Sequence, residues 1–193
     1  GDFVARGLPP SVVQRWDGWL SPALQAARDG LGTGFLEPYL NGPIWRFLLG
    51  PGVCGDRAWA GIMAPSTDKV GRCFPLTLVV TVPKHVALSR LARDWRNGYG
   101  RLEALALSLL DGSATIDDTM IALGAIEDGE DWPGPAERTW HAHAGTTERD
   151  ASWRLQAIPG RGIETAFLTH GLDIVLDATS PPASLWWHRP TAS

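Results

Sequence analysis

Three short patterns in the chain contain residue types that could do chemistry. Ser66-Thr67-Asp68-Lys69 matches S-x-x-K, in which a lysine can help to activate a serine nucleophile. Gly50-Pro51-Gly52-Val53-Cys54-Gly55 matches G-x-G-x-x-G, the glycine pattern of a dinucleotide-binding turn. His141 and His143 could offer two imidazoles on one side of a strand to a metal ion. Each pattern has to be weighed against the elements that would position it.

The surroundings complete none of the three patterns. A dinucleotide-binding turn leads into a helix N-terminus that holds the pyrophosphate, whereas Ala58–Ala64 has the composition of a strand. The serine pattern lies in a predicted hairpin loop and lacks the companion motifs S-D-N and K-T-G. The two histidines have no carboxylate or cysteine nearby at ligand spacing. The residues therefore spell out no reaction, and we predict no catalytic residue, cofactor or metal site.

Composition limits the class of protein. The 193 residues, 44% hydrophobic and 20% charged, predict one globular domain over residues 1–193. The net charge is -4 and the cations are scattered, which argues against nucleic acid as a partner. No apolar run approaches the roughly 20 residues that span a bilayer, so we expect a cytoplasmic protein without membrane insertion. Cys54 and Cys73 are expected to be free, buried thiols.

Periodicity predicts the helices of the first half. Apolar residues recur at helical spacing from Val12 to Ala27, with Ser11 as the expected N-cap. Pro22 should kink this helix or start a new one capped by Ser21. A short helix is predicted over Phe35–Leu40.

Three β-rich runs then follow at short spacing: Ile44–Leu49, Ala58–Ala64 and Phe74–Val82. Connections this short cannot hold a crossover helix, so the runs should form an antiparallel meander. The fold class predicted is α/β of the α+β type, a mostly antiparallel sheet with helices packed on it in a single domain.

The second half is predicted to contain further helices and strands. Helices are expected on either side of Asn97-Gly98, over Val86–Trp95 and Leu102–Leu110, and from a cap at Ser113 or Thr115 through Leu123. Glu127–Asp150 is predicted to be a mobile, partly acidic loop. The remaining predicted elements are strands at Trp153–Ile158, Leu172–Leu176 and Ser184–Trp187 and a short helix at Ile163–Leu168.

The loop between the second and third predicted strands is the candidate binding element. Asp68 can accept hydrogen bonds from nearby backbone N–H groups and Gly71 can adopt positive φ, so the loop could be well ordered. Our hypothesis is that Asp68, Lys69 and Arg72 shape this loop or contact a partner. The alternative is that Asp68 and Arg72 only pair across the turn. Trp186 and Trp187 are expected near the same sheet, and one of them should face away from the core as a candidate anchor.

A series of motifs runs through the first half of the chain: Gly1-Asp2-Phe3-Val4, Arg6-Gly7-Leu8-Pro9, Trp16-Asp17-x-Trp19-Leu20, Pro43-x-Trp45-Arg46-Phe47, Gly52-x-Cys54-Gly55, Trp59-x-Gly61 and Pro65-Ser66-x-Asp68-x-Val70-Gly71-Arg72-x-Phe74-Pro75-Leu76. Together they resemble the motifs of the TagF family, also called ImpM. The likeness is dense over Gly1–Val82 and returns at Ser184-Leu185-Trp186-Trp187. Motif positions with a structural role by this resemblance are Trp16, Trp45, Arg46, Gly71, Phe74 and Pro75. Cys73 departs from the pattern because it stands where an aromatic residue is expected.

The resemblance implies a regulator, and not an enzyme, in the type VI secretion system of Gram-negative bacteria. Proteins like this act as post-translational repressors, and some bind a cytoplasmic Fha-type scaffold that carries a forkhead-associated domain. No catalytic residue is carried over. The alternatives are a structural or assembly accessory subunit of the secretion apparatus and, more remotely, a small-molecule-binding enzyme.

Overall fold

The computed structural model describes residues 5–68, 70–134 and 184–188. Lys69, His141 and His143 therefore lie outside the described residues, as does the predicted loop beyond residue 134. The same is true of the predicted strands Trp153–Ile158 and Leu172–Leu176 and of the predicted helix Ile163–Leu168.

The described strands form one antiparallel sheet. Strands β1 (Trp45–Leu49), β2 (Trp59–Ala64) and β3 (Leu76–Thr81) pair in sequence as a meander. Strand β4 (Ser184–Trp187) pairs antiparallel with the other side of β1, which gives the order β3-β2-β1-β4. The predicted meander and the predicted strand at Ser184–Trp187 are confirmed, as is the fold class.

Helix α1 (Pro10–Leu31) begins earlier than predicted and does not break. Its N-cap is Pro9, and no side chain caps it, so the assignment of Ser11 as N-cap was wrong. Proline suits the first helical position because its φ is preset and it has no N–H to satisfy. A new helix at Ser21 was also wrong, since Pro22 lies inside α1 on its exposed side, where water can hydrate the carbonyl group of Gly18.

The other helices agree with the sequence-based predictions, with one exception. Helix α2 is Leu36–Leu40, preceded by a 3-10 turn at Gly32–Gly34. Helix α3 (Leu88–Asp94) ends at Trp95, and α4 (Arg96–Leu110) runs through Asn97-Gly98, so the predicted break at that dipeptide was wrong. The reason is packing, because the indole of Trp95 occupies the place that a side chain at residue 98 would take.

Helix α5 (Ile116–Glu127) begins with a capping box. The Thr115 hydroxyl accepts a hydrogen bond from the backbone N–H of Asp118, whose carboxylate accepts one from the backbone N–H of Thr115. The helix runs four residues beyond the predicted end at Leu123.

Helices cover both faces of the sheet. Alternate residues of the strands, such as Leu48 and Ile62, pack with Leu102 of α4 in the larger core cluster. The intervening residues, such as Phe47 and Trp59, pack with Val12 at the start of α1 in the smaller cluster. The result is a sheet between α1 on one side and α3, α4 and α5 on the other.

Two predictions from composition can be compared with the structure. Cys54 and Cys73 are both free and buried, as predicted. Among the helices of the described ranges, none is long and apolar enough to span a membrane.

Candidate functional site

The connection between β2 and β3, Pro65–Pro75, is a hairpin fastened by backbone hydrogen bonds. The N–H of Asp68 donates to the carbonyl oxygen of Arg72 at 3.0 Å, and the N–H of Gly71 donates to that of Asp68 at 3.0 Å. Gly71 has φ +81°. Thr67 and Cys73, which flank the turn, form an isolated antiparallel β-bridge. This pattern is that of a three-residue hairpin loop with a glycine in the left-handed region. A side chain at Gly71 would strain the turn.

The carboxylate of Asp68 also stabilises the turn through hydrogen bonds. Its Oδ1 accepts hydrogen bonds from the backbone N–H groups of Arg72 (2.8 Å) and Val70 (3.0 Å), and its Oδ2 accepts one from Arg72 Nε at 2.6 Å. The backbone N–H of Arg72 lowers the pKa of Asp68 most, and the Arg72 guanidinium and the Val70 N–H lower it further against an opposing effect of desolvation. Asp68 and Arg72 therefore form an ion pair that organises the loop from within.

Helices α1 and α2 anchor the base of the loop. The hydroxyl of Tyr39 donates to the carbonyl oxygen of Ser66 at 2.8 Å and accepts from the N–H of Ser66 at 3.1 Å. Burial raises the pKa of the Tyr39 phenol. Arg28 Nη2 donates to the carbonyl oxygen of Cys73 at 2.8 Å, and its guanidinium lies 5.5 Å from the ring centroid of Phe35. Sequence analysis missed Tyr39 and Arg28, because no local pattern connects them to a loop at least 27 residues away.

The tip of the loop presents an apolar side chain to solvent. Val70 is 75% exposed, more than most of the large hydrophobic side chains on the described surface. The Arg72 side chain beside it is 49% exposed. A loop held by internal hydrogen bonds, with an apolar side chain exposed on it, is suited to binding a protein surface.

Trp186 and Trp187 are not part of this loop. They lie on β4, which is separated from β2 and β3 by β1. Trp186 packs 4.9 Å from Phe47 on the α1 side of the sheet, while Trp187 meets Tyr99 edge-on at 5.0 Å on the opposite side. The expectation that one of them faces away from the core was wrong, because helices cover both faces and each indole joins a core cluster.

The remaining motif residues lie in the framework around the sheet. Arg46 is 6% exposed on β1, and Pro75, directly before β3, is buried. Trp45 contacts the ring of His188 at 4.9 Å, and Trp16 lies 5.1 Å from Phe47. Phe74 is partly buried, and its backbone N–H donates to the carbonyl oxygen of Ser66 at 3.1 Å.

Two of the three patterns considered for chemistry lie, apart from Lys69, in the described residues, and both have other structural roles. Gly50–Gly55 forms turns that lead to strand β2, as predicted, and not to a helix. Ser66 lies in the base of the hairpin and not at a helix start. The portion of the chain that the structure describes contains no cluster of three or more metal-ligating side chains.

The fold and loop together define an α+β protein in which a sheet presents a hairpin loop closed by hydrogen bonds. The family model of the TagF N-terminal domain, associated with type VI secretion systems, matches residues 1–126 of the 193. The chain therefore belongs to this family, which confirms the resemblance inferred from its motifs. It is a protein associated with type VI secretion.

A solved structure is similar to this chain over nearly its whole length. The crystal structure of PA0076 from Pseudomonas aeruginosa PAO1 is similar to this chain, with a TM-score of 0.65 and 29% sequence identity. The similarity covers 99% of this chain and 85% of that one. No curated protein matches the chain.

Proposed function

We propose that this protein is a post-translational repressor of type VI secretion that binds an Fha-type scaffold through the loop Pro65–Pro75. It acts by occupying the scaffold and not by catalysing a reaction. Membership of the TagF family supports the connection with secretion, and the repressor role and the scaffold are what the family resemblance implies.

The observation that supports this binding site is the set of hydrogen bonds that orders the loop. Asp68 and Arg72 hold the turn from within, and Tyr39 holds its base from outside. A loop that is already ordered loses little conformational entropy when it binds, so more of its contact energy appears as affinity. In this proposal Val70 contacts the scaffold, while Asp68 and Arg72 keep it in position.

Binding of a purified Fha-type scaffold, measured by calorimetry, tests the proposal. Val70→Asp places a charge on the exposed tip without removing a bond of the turn, and it should weaken binding at least tenfold. The double variant Asp68→Ala, Arg72→Ala should weaken it as well by loosening the turn. The matched control is Arg90→Ala, Asp94→Ala, which removes another partly exposed Arg–Asp pair, four residues apart on α3. It should bind like the parent.

The outcomes separate the function from the site. Scaffold binding that survives both loop changes would place the contact elsewhere on the protein. Absence of binding by the parent would contradict the proposed partner. Co-purification of the protein with the assembled apparatus in every state of secretion would favour a structural subunit over a repressor. A secretion assay completes the test, since cells that carry only the Val70→Asp variant should secrete without repression.

A further inference from the structure

We propose that a cavity between α1 and the α1-facing side of β2 and β3 binds a small molecule with an apolar body and a carboxylate head. The cavity has a volume of about 310 Å³ and extends from Arg6 and Leu8 to the base of the loop at Pro75. This is within the size range of small-molecule sites. The proposal does not depend on the identity of the protein partner.

The walls of the cavity are mostly apolar. Val12 and Val13 of α1 form one side, and Phe47 and Val79 of the sheet form the other. The space equals about ten water molecules at their liquid volume of about 30 Å³ each. An apolar body of that size would replace water along these walls.

Three polar atoms around this cavity have no hydrogen-bond partner: Trp16 Nε1, Trp59 Nε1 and Thr77 Oγ1. Trp59 is only 5% exposed, so bulk solvent does not hydrate its N–H. Leaving buried donors unpaired is unfavourable, and native proteins do so rarely. An indole N–H can only donate, so a ligand that satisfies the N–H of Trp59 must bring an acceptor oxygen.

The charges at the cavity favour an anionic acceptor. Arg6 lines this cavity and also a neighbouring one of about 520 Å³, which Arg57 lines as well. Neither arginine forms an ion pair in the described ranges. Asp17 also lines the first cavity, but it lies seven residues beyond Pro10 on α1, about 10 Å further along the helix axis. The carboxylate head is therefore placed at the Arg6 end.

Entry of the ligand involves Trp16. All three unpaired atoms are closed to solvent in the free protein, and two of them belong to half-buried residues, Trp16 on α1 and Thr77 on β3. A turn of the Trp16 indole would open this wall of the cavity to the ligand. Binding should therefore change the tryptophan fluorescence of the protein.

Titration of the full chain with decanoate, followed by fluorescence and calorimetry, tests the proposal. We expect saturable binding with one decanoate per chain, and decanol should bind at least tenfold more weakly because it lacks the charge. Trp59→Phe keeps an aromatic ring but removes the N–H, and it should weaken decanoate binding about tenfold. Val79→Phe should weaken it by filling the cavity. Trp132→Phe is the matched control, because the N–H of Trp132 already donates to the carbonyl oxygen of Glu127 and lies outside this cavity.

The proposal is overturned if decanoate does not saturate the parent protein, or if decanol binds as tightly as decanoate. It is also overturned if a folded Trp59→Phe variant, checked by thermal melting, binds like the Trp132→Phe variant. The comparison of decanoate with decanol needs no variant, so it decides the question even if the substitutions prevent folding. Because these titrations use the protein alone, their failure leaves the scaffold-binding proposal untouched.

Discussion

Arg46 on β1 and Glu103 on α4 form an ion pair inside the protein. Arg46 Nε donates to Glu103 Oε1 at 2.7 Å, and the two side chains are only 7% and 15% exposed. The Arg46 guanidinium lies 5.3 Å from the ring centroid of Tyr99, whose hydroxyl donates to the carbonyl oxygen of Phe47 at 3.2 Å. Strand β1 is thus tied to α4 by polar contacts as well as by apolar packing.

Removing one partner of this pair should destabilise the fold strongly. Glu103→Gln leaves the buried Arg46 charge without its carboxylate, and the free energy of unfolding should fall by about 3 kcal/mol. The control is Asp131→Asn, which breaks the exposed Arg101–Asp131 pair at 3.4 Å and should lower it by less than about 1 kcal/mol. Urea unfolding measures both. Equal losses in the two variants would contradict the buried character of the Arg46–Glu103 pair.

The pKa of Asp68 should stay low even without its ion-pair partner. Its largest lowering comes from the backbone N–H of Arg72, which an alanine at that position retains. In Arg72→Ala the pKa of Asp68, followed by NMR of the carboxyl carbon, should rise but remain below the ordinary aspartate value. A rise to the ordinary value would mean that the guanidinium, and not the backbone, holds the carboxylate.

The lowered pKa of Asp68 also determines how the stability of the loop depends on pH. The folded-state pKa of Asp68 lies below the unfolded-state value, so its stabilising contribution is complete above the unfolded-state pKa. That contribution is lost as the pH falls through the lower, folded-state pKa. The amides of Val70 and Arg72, which donate to Asp68, should report this loss by faster hydrogen exchange relative to the intrinsic rate.

The sequence predicted the meander because its signals are local. Runs rich in β-branched and aromatic residues, joined by connections too short for a helix, allow few arrangements. The prediction of a helix break at Asn97-Gly98 was wrong because Gly98 makes room for the Trp95 indole and does not reverse the chain. Likewise, the Arg28 and Tyr39 contacts to the loop depend on how α1 and α2 lie against it, which no local pattern encodes.

Gly98 and Gly124 should respond oppositely to substitution by alanine. A Cβ at residue 98 would overlap the indole of Trp95, which is stacked 4.4 Å from Trp132 and cannot shift freely. Gly98→Ala should lower the free energy of unfolding by about 2 kcal/mol. A Cβ at residue 124 in α5 meets nothing within 4 Å, so Gly124→Ala should raise it by about 0.5–1 kcal/mol. Thermal unfolding of both variants checks the prediction, and a stabilising Gly98→Ala would contradict it.

Tyr39→Phe should loosen the base of the loop without changing its tip. It removes the hydroxyl that both donates to and accepts from the backbone of Ser66, so the amides of Ser66 and Phe74 should exchange about tenfold faster, equivalent to about 1.4 kcal/mol. Tyr99→Phe is the control, because Tyr99 lies on the α4 side of the sheet and the change removes one buried hydrogen bond, to the carbonyl oxygen of Phe47. Both variants should lose stability, but only Tyr39→Phe should also weaken scaffold binding. Equal weakening in both would mean that affinity follows overall stability and not the order of the loop.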